Sequence, residues 1–198
     1  MDKLRKKIAQ IKTGNEFLTF SGNNTEYKLL DFWKWSVSDL LSNATRGIFA
    51  EFIVASAMGM DLSNETRDEW GEFDLEAWEW GKIKIEVKSS SFLQTWEQRN
   101  YSNIVFSIKK KGYTSISKEK NKFTRPSDVY VFCLLHHKDK KTVDPLIMDQ
   151  WSFYVVSTKN INNVFKDKNT ITLKSLEKIT EKIEYHKIKE MVIKEGKN

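Results

Sequence analysis

From Phe73 to Ser90 the chain alternates apolar and charged residues on both sides of one glycine, Gly81. That pattern predicts two antiparallel strands, and the register of the hairpin decides which side chains meet. A two-residue turn on Trp80 and Gly81 would pair Glu79 with Lys82 and leave each face a mixture of apolar and charged groups. A three-residue loop over Trp80, Gly81 and Lys82, with glycine free to take positive φ, instead pairs Glu79 with Ile83, Ala77 with Ile85 and Leu75 with Val87. One face is then apolar apart from its end. A slip of one residue would bury charge and expose the aliphatic row, so this register should be strongly specified.

The same register sets Asp74 across from Lys88 and Glu76 across from Glu86, which gathers Asp74, Glu86 and Lys88 on one surface. Two carboxylates and an ammonium suit a metal-assisted hydrolysis. Hard oxygen ligands hold Mg²⁺, which keeps several waters, while a lysine beside them can orient the attacking water or help to deprotonate it. The Glu-x-Lys tripeptide is by itself common here, at Glu26-Tyr27-Lys28, Glu86-Val87-Lys88 and Glu195-Gly196-Lys197. Only the middle copy falls on a predicted strand with an acid opposite.

A helix is predicted from Ser38 or Ser42 to Met58, closed by Gly59. Within it Glu51 is out of place, because its neighbours on the wheel are Ala44, Gly47, Ile48, Val54, Ala55 and Met58. A carboxylate on such a stripe is costly to bury unless it is paired or bound to a metal.

Asp74 followed by Glu86-Val87-Lys88 resembles the motif of the restriction-endonuclease-like nucleases, the PD-(D/E)XK superfamily: an acid on one strand, then acid-x-Lys on the next. Phe73 stands where the proline that gives the motif its name would be. The order of elements between Ser38 and Leu135, a helix, a hairpin, a third strand and a buried strand, is similar as well. The resemblance implies an α/β fold with a restriction-endonuclease-like core, a mixed central sheet of the hairpin and following strands flanked by helices. It implies a Mg²⁺-dependent endonuclease acting on DNA, of restriction, defence or repair type, with Mn²⁺ as a substitute. Asp74, Glu86 and the carbonyl of Val87 would hold the metal, Glu51 would complete the metal site, and Lys88 would steady the nucleophilic water and the phosphate. Some branches of the superfamily carry a glutamine near the position of Gln94, which makes it a catalytic candidate. Cutting both strands of a duplex would call for a homodimer.

At 198 residues and 39% hydrophobic content the chain can bury one core, and a single domain is expected over 1–198, with its core at 38–135. The flanks are read as an N-terminal helical extension over 1–37 and a C-terminal strand and helices over 136–198. No apolar run reaches the length of a membrane span and the N-terminus lacks the apolar stretch of a signal peptide, so a soluble cytoplasmic protein is expected. Cys133 lies in an apolar strand and reads as a core residue. The net charge is +6, and the segment 109–125 carries Lys109, Lys110, Lys111, Lys118, Lys120, Lys122 and Arg125 against Glu119 alone. This loop is the predicted grip on DNA phosphates.

Elsewhere, residues 1–12 read as an amphipathic helix, 13–24 as a loop, Asp31 as a helix cap, Phe92 to Arg99 as a helical turn, and Asn103 to Ile108 as a third strand. Asp128 to Leu135 reads as a central strand covered on both faces, Trp151 to Ser157 as a fifth strand, and Ile171 to Leu173 as an extension of the sheet. Two short helices are expected after Ser175. Trp70, Trp78, Trp80 and Trp96 are expected mostly to pack in the core or on the hairpin. The adjacent His136 and His137 would point to opposite faces of a strand and so could not chelate jointly. Two other classes compete with the nuclease, a noncatalytic nucleic-acid-binding module on the same fold and a protein-interaction partner in a larger assembly.

Overall fold

The computed structural model describes residues 4, 7–112 and 123–197. Residues 7–12 are exposed and form no helix, contrary to expectation. Leu4 and Ile8 are almost wholly exposed and Ile11 is half exposed, and a short helix with little tertiary packing is marginal in water. The predicted loop over 13–24 holds a strand instead. β1 (Phe17–Phe20) and β2 (Asn23–Lys28) form an antiparallel hairpin around Ser21 and Gly22, both at positive φ, as a tight two-residue turn requires. The first Glu-x-Lys copy therefore also lies on a strand, but Phe17 and not an acid faces its Lys28. In α1 (Leu29–Val37) Asp31 sits inside the first turn and accepts from the Lys28 N–H at 2.8 Å, so it caps from within.

The main helix α2 (Asn43–Met58) has the predicted ends. Ser42 accepts from the Thr45 N–H, and Gly59 closes the helix in the left-handed conformation at φ 75°. Its buried face is Ala50, Ile53, Val54, Ala55 and Met58. The hairpin follows as β3 (Leu75–Ala77) and β4 (Ile83–Ser91). Then come β5 (Val105–Ser107), the two-residue strands β6 (Lys111–Gly112) and β7 (Phe123–Thr124), β8 (Val129–Leu135), β9 (Trp151–Ser157), α3 (Thr158–Phe165), β10 (Thr170–Thr172), α4 (Leu173–Leu176) and α5 (Ile188–Gly196).

The central sheet is mixed, in the order β3-β4-β8-β9, with β4 and β8 parallel and the other pairs antiparallel. Every residue of β8 is buried, as its continuous apolar run predicts. One face of the sheet, with Ile85, Val87, Val131 and Val155, packs under α2 and α5. The other, with Tyr130, Phe132, Tyr154 and Val156, packs against Phe106, Ile161, Ile171 and Leu176.

Two strands lie elsewhere than expected. β5 does not join the central sheet and β10 does not extend it; they pair with each other as a separate ribbon over the second face. The alternation of segment 103–108 explains this, since Ile104, Phe106 and Ile108 are buried while Val105 and Ser107 face out. Such a strand can bury only one side, whereas β8 fills the two-sided place beside β4. Residues 92–99 form no helix, and the C-terminal pair reduces to the single turn of α4 and the longer α5. Trp70, Trp78 and Trp96 are exposed, and of the four tryptophans expected to pack only Trp80 joins the core.

Candidate active site

The observed pairs of β3 and β4 are Leu75 with Ile85, Glu76 with Lys84 and Ala77 with Ile83. This is two residues away from the predicted register. The connection takes residues 78–82, with a 3₁₀ turn at Trp78–Trp80, then Gly81 at φ 99° and Lys82 at φ 60°. The ammonium of Lys82 covers the Trp78 ring at 4.3 Å and that of Lys189 covers the Trp80 ring at 4.0 Å, so each indole is held by a cation rather than paired in a strand. Side chains alternate with period two, and a shift of two leaves each one on its predicted face. Asp74, one step beyond β3, now lies level with Glu86, and its N–H donates to the Ile85 carbonyl at 3.1 Å.

The three charges do meet. Lys88 Nζ is 2.7 Å from Glu86 Oε1 and 3.7 Å from Asp74 Oδ2. Asp74 Oδ2 also accepts from the Val87 N–H at 2.7 Å, which fixes the carboxylate against β4. Glu86 is only 1% exposed, and its second oxygen accepts from Lys111 Nζ at 2.9 Å. Lys111 also donates to the Glu72 carbonyl at 3.0 Å. Burial works against the Lys88 ammonium, but the charges of Asp74 and Glu86 outweigh it, and the pKa ends above the ordinary lysine value. Lys88 is thus a fixed cation at neutral pH, suited to orienting an anion or a water rather than taking its proton.

Glu51 leans from α2 toward the same region, held by a fork from Arg67. Arg67 Nε donates to Oε2 at 2.5 Å and Nη2 to Oε1 at 2.9 Å. The bond to Glu51, against some burial and with the charges of Glu51, Asp74 and Glu69, raises the Arg67 pKa. Glu51, Arg67 and Asp74 line one cavity of about 470 Å³ whose apolar wall includes Ile48, Phe52 and Trp78.

Among the described residues no three Asp, Glu, His or Cys side chains converge as the shell of a metal ion. The oxygens present nonetheless suit Mg²⁺, which takes one or two carboxylates and keeps waters for the rest. In an extended strand the N–H and C=O of one residue point the same way. The Val87 N–H points at Asp74, so the Val87 carbonyl faces that side too. Asp74, Glu86 and Val87 therefore form a hard-oxygen set, with Lys88 and Lys111 now supplying the positive charge and Glu51 on the adjoining wall.

The family description of bacteriophage T4 endonuclease IV matches residues 21–175 of this chain. The chain belongs to the bacteriophage T4 endonuclease IV family. No curated protein and no solved structure matches it. The region shared with the T4 endonuclease IV family runs from the β1–β2 hairpin into α4 and contains Glu51, Asp74, Glu86 and Lys88. An endonuclease family agrees with the nuclease expectation.

Other predicted site residues are used differently. The Gln94 side chain accepts from Arg46 and donates to the Ser91 carbonyl and Ser102 hydroxyl, a buried brace with no hydrogen bond to the acids. Of the predicted DNA-gripping loop, Lys118, Lys120 and Lys122 lie outside the described residues. Lys109 is exposed, Lys110 pairs with Asp167, and Lys111 belongs to the acid cluster. Arg125 is buried and bonds the carbonyls of Ile108, Lys166 and Lys168 and the Asn162 side chain, so it braces the fold instead of meeting phosphate. His136 and His137 bond separately to Ser152 and Thr142. The site residue the sequence reading passed over is Arg67, which lies in a polar connection without periodicity. A basic residue ahead of the hairpin, with an acid stranded on the preceding helix, was the one available signal.

Proposed function

We propose that the protein is a DNA endonuclease that hydrolyses phosphodiester bonds with Mg²⁺, or Mn²⁺ in its place, on a restriction-endonuclease-like core. The observation that carries this reading is the meeting of Asp74, Glu86 and Lys88 where β3 and β4 part, in a chain of an endonuclease family. The ion, when bound, supplies Lewis-acid polarisation of a phosphoryl oxygen and a more acidic water. Asp74 and Glu86 offer carboxylate oxygens from the two strands of the hairpin, and the Val87 N–H keeps Asp74 turned toward its neighbour. Lys88 holds its positive charge beside them, where it orients the attacking water and offsets the charge that builds on the phosphate. For Glu86 to serve, Lys111 gives up one oxygen and becomes free to meet the phosphate instead. Glu51 stands on the adjoining wall, where the planar fork of Arg67 holds its carboxylate in place. One such centre cuts one strand, so cutting a duplex calls for two copies of the chain.

Plasmid, linear and branched DNA incubated with divalent metal tests the reading. The native protein should nick or cut at least one of them with Mg²⁺ or Mn²⁺ and stop on chelation, while Lys88→Ala should lose at least a hundredfold in rate with an unchanged circular dichroism spectrum. Activity retained by both Lys88→Ala and Asp74→Ala would reject the assignment.

A further inference from the structure

With Lys110 paired to Asp167, Lys111 paired to Glu86 and Arg125 buried, part of the phosphate contacts of a DNA-cleaving chain would come from elsewhere. Past the C-terminal ends of β4 and β8, Arg99, Lys138 and Lys140 line a cavity of about 540 Å³ with Tyr101 and a single acid, Glu97. None of these three cations makes an ion pair among the described residues. Two of them are held in place without being neutralised. Lys138 Nζ lies 4.5 Å from the centre of the Phe92 ring and 5.5 Å from that of Tyr101. Lys140 donates to the carbonyls of Gln94 and Trp96.

The partly exposed face of β4 lies between this cavity and the candidate active site. Glu86, Lys88 and Ser90 alternate onto one face of β4, and Phe92, just past its end, packs with the cluster on that face. Lys88, Ser90 and Phe92 are each partly exposed, which leaves an open strip leading to Lys138. From Lys88 to Phe92 is about 13 Å at strand rise, roughly four nucleotides at 3.4 Å each. In the opposite direction the cavity beside Asp74 is lined by Glu51, Glu65, Asp68 and Glu76 with one arginine, Arg67, a poor course for a polyanion. We propose that Arg99, Lys138 and Lys140 anchor the phosphate backbone of the DNA strand that leaves the candidate active site along β4. The proposal rests on the nuclease reading and adds to it the path of the substrate.

The test is fluorescence anisotropy with a labelled duplex and a labelled single strand of the same sequence, in chelator, on an Asp74→Asn background so that no cleavage intervenes. Arg99→Glu/Lys138→Glu should weaken binding of at least one of them tenfold or more. It should also make the slope of log K against log salt shallower by about 1.4 to 1.8, the loss of two phosphate contacts. Lys178→Glu, an exposed charge reversal elsewhere, should change neither. Unchanged affinity and slope in the double reversal, or an equal loss in Lys178→Glu, overturns the proposal. If melting shows that the double reversal does not fold, Arg99→Gln/Lys138→Gln is held to the same criterion with half the affinity loss on a logarithmic scale. Cleavage by the native protein combined with an unaffected double reversal removes the anchor and leaves the nuclease. A native protein that neither binds nor cleaves DNA removes both.

Discussion

Glu86 places a carboxylate at a position with 1% exposure, where each of its oxygens has its own lysine. Removing one partner of a buried ion leaves charge uncompensated, and that is where the cost lies. Lys88 is the more enclosed of the two; the Lys111 side chain is 41% exposed, so water replaces part of what it gives. Lys111→Ala should therefore destabilise the protein by only about 1 kcal/mol, read as a small drop in melting temperature in chelator. If Glu86 is a metal ligand, the variant should also gain more stability from added Mg²⁺ than the native chain does, since the cation that competes for Oε2 is gone. An equal response of the two proteins to Mg²⁺ would separate Lys111 from the metal site.

At the scale of elements, the β3–β4 connection decides whether the acids meet. Gly81 is at φ 99°, where nothing crowds a Cβ but an L side chain is strained, so Gly81→Ala should cost about 1–2 kcal/mol, measurable by urea unfolding. A loss much below that would mean that the turn relaxes to another form. Arg125 ties the β5–β10 ribbon to the end of α3 through three carbonyls and Asn162. Arg125→Ala should destabilise by about 3 kcal/mol while leaving DNA affinity at low temperature unchanged; a selective loss of affinity would restore it to the DNA contacts. The same elements show why part of the site was legible in the sequence. Gathering Asp74, Glu86 and Lys88 requires only that the hairpin keep its parity, which alternation reveals, and the true register, displaced by two, preserves it. Glu51 announced itself as an acid on an apolar stripe. Arg67, Lys111 and Arg125 did not, because a cation in a polar stretch looks alike whether it faces water, an acid or three buried carbonyls. The β5–β10 pairing was hidden for a related reason: alternation shows that a strand is one-sided but not which sheet it lies against.

Across the whole molecule, a mixed sheet is buried between α2 and α5 on one side and the β5–β10 ribbon with α3 and α4 on the other. Its charge is unevenly spread, acidic where β3 and β4 part and basic beyond the far ends of β4 and β8. That polarity suits a chain that carries negative ligands for a cation at one place and grips a polyanion at another. No helix among the described residues is long and apolar enough to cross a membrane. On the proposed reading Asp74 and Glu86 together hold a divalent cation, and calorimetric titration of Mn²⁺ into the DNA-free protein tests this directly. The native protein should give a binding heat that disappears in Asp74→Asn and in Glu86→Gln, with both variants folded. Equal binding by all three proteins, or no binding by a native protein that still cuts DNA, would contradict it.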